Sequence, residues 1–154
     1  MKARIVTRRR APAVLPKFWR TKTPTDVMRD TQIIHHDLVA RFEKGTATVA
    51  DMWDWMETGY TYMTMVNLYA QDGVEFTVEA ISALRAQGDS YEAICARMQR
   101  TGKVGLTGPE LLIARAAAGV MDELIAMDRH GIALRAAKES TRQMDRILKK
   151  VGAR

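Results

Sequence analysis
The stretch from Thr48 to Gly73, TVADMWDWMETGYTYMTMVNLYAQDG, decides how the rest of the chain is read. It opens on Thr48 with Asp51 three residues on, a pairing that satisfies the free amides of a helix start. It closes at Asp72-Gly73, where glycine accepts the left-handed turn that ends a helix. In between, Met52, Trp53, Trp55, Met56, Tyr60, Tyr62, Met63, Val66 and Tyr69 cover an arc of roughly 200° at about 100° per residue, against about 100° for an ordinary surface helix. A helix over 49–71 with this much apolar arc is either the central element, contacted on two sides, or reserves a face for a partner. Met and aromatic residues at helical spacing favour the first reading. A reserved face would fall on Trp53, Trp55, Tyr62 and Tyr69. The polar strip left over is Asp54, Glu57, Thr61 and Thr64, narrow and acidic.

Outward from this segment the same grammar repeats. Thr23-Pro24 and Gly45 bracket a helix over 25–44, with Val27, Ile34, Leu38 and Phe42 on one stripe, His35 at its edge and His36 on the opposite face. Downstream, Gly88 and an Asp89-x-x-Glu92 box predict a short hairpin of two helices, 78–87 and 90–101. Val78, Ile81 and Leu84 would there face Tyr91, Ile94, Cys95 and Met98. Thr107, Pro109 and Glu110 open a further helix that runs at least to Met127 with a stripe of Ile113, Val120, Met121, Leu124 and Ile125. Its segment Ala114, Ala116, Ala117, Ala118 and Gly119 lets a neighbour approach closely. A regular continuation would put Asp128 on the apolar stripe. The expectation is therefore a break near His130-Gly131, the alternative being a partner such as Arg135 for Asp128. The last segment, 132–150, sets Met144, Ile147, Leu148 and Val151 among Arg142, Arg146, Lys149, Lys150 and Arg154. No period-2 run nominates a strand and no repeat or second hydrophobic unit is present, so the fold class is all-α. The expected architecture is one compact, bundle-like domain of five to six helices over 25–154, preceded by a disordered or extended basic arm over 1–24.

Composition agrees with one domain and excludes several classes. The 154 residues are 47% hydrophobic and 27% charged, long enough to bury roughly two thirds of the unfolded surface. No uncharged apolar run approaches the roughly 18 residues of a membrane-spanning helix. With a single cysteine, Cys95, no internal disulfide can form, and a reducing, cytoplasmic setting is the expectation. On its apolar stripe Cys95 reads as a small hydrophobe whose thiol pKa rises.

Charge is unevenly placed. Residues 1–24 carry Lys2, Arg4, Arg8, Arg9, Arg10, Lys17, Arg20 and Lys22, eight of the 24 bases, and no acid. The other 130 residues hold sixteen bases against eighteen acids, so the net charge of +6 belongs to the arm. Pro12, Pro16 and Pro24 forbid a continuous helix there, which argues against a transit peptide, and the arm lacks the apolar stretch of a secretory or twin-arginine signal. Arg8, Arg9, Arg10, Lys17 and Arg20 suit phosphate neutralisation, with Phe18 and Trp19 to stack or anchor. The same tail could dock on an acidic partner or only keep the chain soluble. The basic end of the last helix likewise suits a nucleic acid or a membrane surface, or simply complements the helix dipole.

Catalytic patterns are missing. His35 and His36 are adjacent, about 100° apart on a helix, and do not form an i, i+4 chelating pair. No Glu-x-x-His or His-Glu-x-x-His occurs, nothing nominates a nucleophile for His130, and neither metal nor cofactor is called for. The loop Gly102 to Pro109 offers Arg100 and Lys103 beside a helix start, a candidate anion site, but lacks the Gly-Lys-Ser/Thr ending of a phosphate loop. Its Gly-Lys-Val-Gly run also suits a KH-type backbone clamp, but that module needs a sheet. A helix-turn-helix across the loop fails because the connection is too long and Leu111, Leu112 and Ile113 stand where base-reading polar groups belong. The expectation is a non-enzymatic binding or regulatory protein whose arm meets nucleic acid or an acidic partner while the body makes protein contacts or self-associates. An adaptor or inhibitor acting wholly through protein contacts, with the tail incidental, is the alternative.

Overall fold
In a computed structural model, the described residues are 24–128 and 131–152, with side chains described for 33–128 and 131–150. Five helices follow one another: α1 (Pro24–Glu43), α2 (Val49–Gln71), α3 (Val78–Thr101), α4 (Gly108–Met127) and α5 (Ile132–Gly152). No strand occurs among the described residues. The fold is all-α and bundle-like, and the arm, apart from Pro24, lies outside the described residues.

α2 is the central element: it packs against all four other helices. Its start is fixed by the expected box. The Thr48 backbone N–H donates to Asp51 Oδ2 at 2.7 Å while the Asp51 N–H donates back to Thr48 Oγ1 at 3.2 Å. Arg41 Nη1 adds a bond to Asp51 at 3.0 Å, so the cap also ties α1 to α2. Gly73 closes the helix at φ +83°. Met52, Trp55, Tyr62, Met65, Val66 and Tyr69 are buried. The leftover polar strip is not a solvent face, because α5 lies on it. Thr61 Oγ1 meets Ser140 Oγ at 2.6 Å, and Thr141 Oγ1 donates to Glu57 Oε1 at 3.0 Å, with Glu57 and Ser140 both buried. The small residues Ala133, Ala136, Ala137 and Ser140 give α5 a flat face that lets this polar seam close.

Two sequence expectations are overturned. The hairpin over 78–87 and 90–101 is a single helix, α3, running through Gly88 and Asp89. Its buried residues Leu84, Gln87, Tyr91 and Ile94 recur at spacings of three, four and three, one continuous stripe that packing rewards more than a glycine and a local cap oppose it. On α1 the buried stripe is His35, Leu38, Val39 and Phe42, while Ile34 is exposed. The stripe is rotated because His35, not Ile34, faces α4. The break before α5 is where it was expected. α4 ends at Met127, Gly131 takes φ +67°, and Asp128 accepts from the N–H groups of Ile132 at 3.0 Å and Ala133 at 3.3 Å. Asp128 also accepts the Tyr69 hydroxyl at 3.1 Å, so its partners are α2 and the first turn of α5. The Ala-rich face of α4 packs as expected through Ala114, Ala117 and Ala118, whereas Ala116 and Gly119 face outward.

Candidate functional site
The most chemically loaded cluster joins α1 to α4. His35, 1% exposed, donates from Nε2 to Asp122 Oδ1 at 2.7 Å, and its neighbour His36, 51% exposed, donates from Nε2 to Asp122 Oδ2 at 2.8 Å. A carboxylate only accepts, so both Nε2 atoms carry the proton in this arrangement. That leaves His35 Nδ1 as an acceptor, 3.4 Å from the Tyr62 hydroxyl of α2. The Tyr62 ring stands edge-on to His35, with centroids 5.7 Å apart, and the two imidazoles are 4.8 Å apart. The result is a chain, Tyr62 to His35 to Asp122 to His36, running from the core to the surface.

Electrostatics follow from that gradient. Burial pushes the His35 pKa down, and the Asp122 hydrogen bond and charge only partly restore it, so the ring favours its neutral form. Burial alone would raise the Asp122 pKa, but hydrogen bonds from His36 and His35 outweigh it and hold the carboxyl below its ordinary value. Tyr62 is pushed up by burial and by the Asp122 charge, and stays a phenol.

Adjacent histidines about 100° apart need not diverge at their tips. His35 reaches Asp122 from beneath and His36 from the solvent side, so the i, i+1 spacing brings both Nε2 atoms to one carboxylate. Asp122 itself was missed in the sequence. Its signal is its place beside the buried Met121 and Ile125 on α4, where a buried histidine on a facing helix finds a partner.

The other sequence-nominated residues fall in different places. Arg8, Arg9, Arg10, Lys17, Phe18, Trp19 and Arg20 lie outside the described residues, as does His130. Trp55, Tyr62 and Tyr69, read in the sequence as a possible partner surface, are buried in the core. Trp53 is half-buried. Neighbours on several sides cover much of the wide apolar arc of α2, while its Met56, Tyr60 and Met63 stay half-buried like Trp53. Arg100 and Lys103 are exposed, and the anion at the start of α4 is the protein's own. Glu110 accepts the Thr107 N–H at 2.7 Å and pairs bidentately with Arg97 at 2.6 and 2.9 Å, while Arg97 also donates to Gly105 O. Cys95 is half-buried, and burial pushes its thiol up.

A second feature emerges on α5. Arg135, Lys138, Arg142, Arg146 and Lys149 are all exposed and recur at spacings of three, four, four and three. At about 100° and 1.5 Å per residue they share an arc of about 80° and a length of about 21 Å. Lys150 extends the face, and Glu139, which lies 3.4 Å from Arg142, sits at its edge. The sequence reading placed Arg142, Arg146, Lys149 and Lys150 near the end of this helix but not the continuation of the row through Lys138 to Arg135. No family model matches the chain, and neither a curated protein nor a solved structure matches it at a significant level.

Proposed function
We propose that the chain is a non-enzymatic helical protein that binds nucleic acid through its basic arm and the basic face of α5, while the rest of the body makes protein contacts. The observation that carries this reading is the segregation of charge. Residues 25–131 hold nine bases against sixteen acids, whereas residues 132–154 hold seven bases against two acids and residues 1–24 eight bases against none. A row of cations about 21 Å long tracks a phosphate backbone well, and an acidic middle turns the rest of the body away from it. Both basic segments would release counterions on binding. Phe18 and Trp19 supply stacking or insertion beside the arm's charges.

The test is fluorescence anisotropy of the full chain with labelled single- and double-stranded DNA and RNA across about 50 to 200 mM salt. With about five phosphate contacts, affinity falls roughly 500-fold over that range. The variant Arg135→Gln/Lys138→Gln/Arg142→Gln should flatten the logarithmic salt slope by up to about 3, and Arg8→Gln/Arg9→Gln/Arg10→Gln should act in the same direction.

A second reading, an adaptor or inhibitor acting through protein contacts alone, draws on the exposed apolar side chains Val78, 74% exposed, and Leu112, 64% exposed. Absence of binding to any of the four nucleic acids at the lowest salt would overturn the first reading in favour of this one.

A further inference from the structure
We propose that His35, His36 and Asp122 form a binding site for one divalent first-row transition-metal ion of the zinc class, linking α1 to α4. One ring nitrogen of each histidine and one carboxylate oxygen lie within 4.8 Å of one another, and both Nε2 atoms reach Asp122, at 2.7 and 2.8 Å. The set is mixed nitrogen and oxygen, which suits zinc, cobalt or nickel and suits magnesium or calcium poorly. Three protein ligands leave at least one position for water, and the partly exposed His36 and Asp122 give the ion a way in from solvent.

The hydrogen-bonded arrangement differs from the metal-bound one in a defined way. Protons on both Nε2 atoms now bridge to the carboxylate at 2.7 and 2.8 Å. An ion bound at about 2.0–2.1 Å takes the place of those protons and needs its ligand atoms roughly 3.4 Å apart. The carboxylate must therefore step back by roughly 0.6–0.7 Å, while the rings tilt together. His36 and Asp122 are free to make these moves because each is partly solvent-exposed. Each neutral imidazole shifts its proton to Nδ1. For His35 that N–H then donates to the Tyr62 hydroxyl, now 3.4 Å away, the outer hydrogen bond that orients a metal-bound histidine.

The experiment is titration of the metal-free full chain with Zn²⁺ by calorimetry, with thermal unfolding and the visible absorption of bound Co²⁺ as parallel readouts. The expected result is one Zn²⁺ per chain, a raised unfolding midpoint, a Co²⁺ spectrum of nitrogen–oxygen ligation, and no response to Mg²⁺ at the same concentration. His36→Gln and Asp122→Asn, both at partly exposed positions, should each weaken Zn²⁺ binding at least tenfold, the low end of the loss seen when a ligand or its support is removed. His130→Gln, which changes the remaining histidine, should leave affinity unchanged. The proposal is overturned if Zn²⁺ does not bind, if binding survives unchanged in His36→Gln and Asp122→Asn, or if it is lost in His130→Gln.

Discussion

Gly59, in the middle of α2, is the residue on which the central packing turns. A Cβ at this position would run into the Tyr91 hydroxyl and lie 2.9 Å from Gln87 Nε2, because α3 crosses α2 here. Tyr91 and Gln87 both reach towards the Trp55 carbonyl at 3.5 Å, so the glycine makes room for two polar groups to approach the backbone of the facing helix. Elsewhere on a helix, glycine to alanine is favourable. Here Gly59→Ala should destabilise the fold by about 1–3 kcal/mol in urea unfolding, the range for overpacking a tight core. Adding Tyr91→Phe removes the oxygen that the new methyl meets. It should recover part of the loss, so the two changes will not be additive. A helical wheel shows Gly59 within the sequence of α2 but carries no sign of which helix crosses there.

At the scale of the element, α3 is the instructive case. Its 24 residues include Gly88, the punctuation that suggests two helices, but the stripe from Leu84 to Ile94 keeps its spacing straight through. Gly88 is exposed, has ordinary helical backbone, and a Cβ there would meet nothing within 4 Å. Gly88→Ala should therefore stabilise the protein by about 0.5–1 kcal/mol, read as a shift in the urea midpoint without a change in slope. A hairpin at this point would need glycine's freedom and would lose stability instead. α5 shows the opposite lesson. Its small face, Ala133, Ala136, Ala137 and Ser140, says that something packs closely. It does not say that the polar strip of α2, with Glu57 and Thr61, is what it meets. The Glu57–Thr141 and Thr61–Ser140 bonds form only between the two helices, and a single helix cannot display its partner.

Across the whole molecule, the His35–Asp122 link makes stability depend on pH. His35 in the fold has a pKa below its ordinary 6.5, so as pH falls the unfolded chain takes up that proton first. Its contribution is complete above about 6.5 and is lost as pH falls from there through the folded value. Asp122, held below its ordinary 3.8, contributes fully above that value and gives way as pH falls further. Urea unfolding at pH 7.5 and 5 should show the wild type losing stability on acidification, and His35→Gln, which keeps a donor for Asp122 without titrating, losing less. Equal losses in the two proteins would assign the pH dependence to other groups. The residues of this chain by themselves determined the all-α class, the bounds of α2, the capped start of α4 and the break before α5, because caps, glycine stops and helical periodicity act within a few residues of chain. Only the tertiary structure decided that α2 is enclosed on several sides, that α3 is unbroken, and that two adjacent histidines converge on one carboxylate. Those outcomes depend on contacts between helices, such as the 86 positions that separate His36 from Asp122, and no local periodicity encodes them.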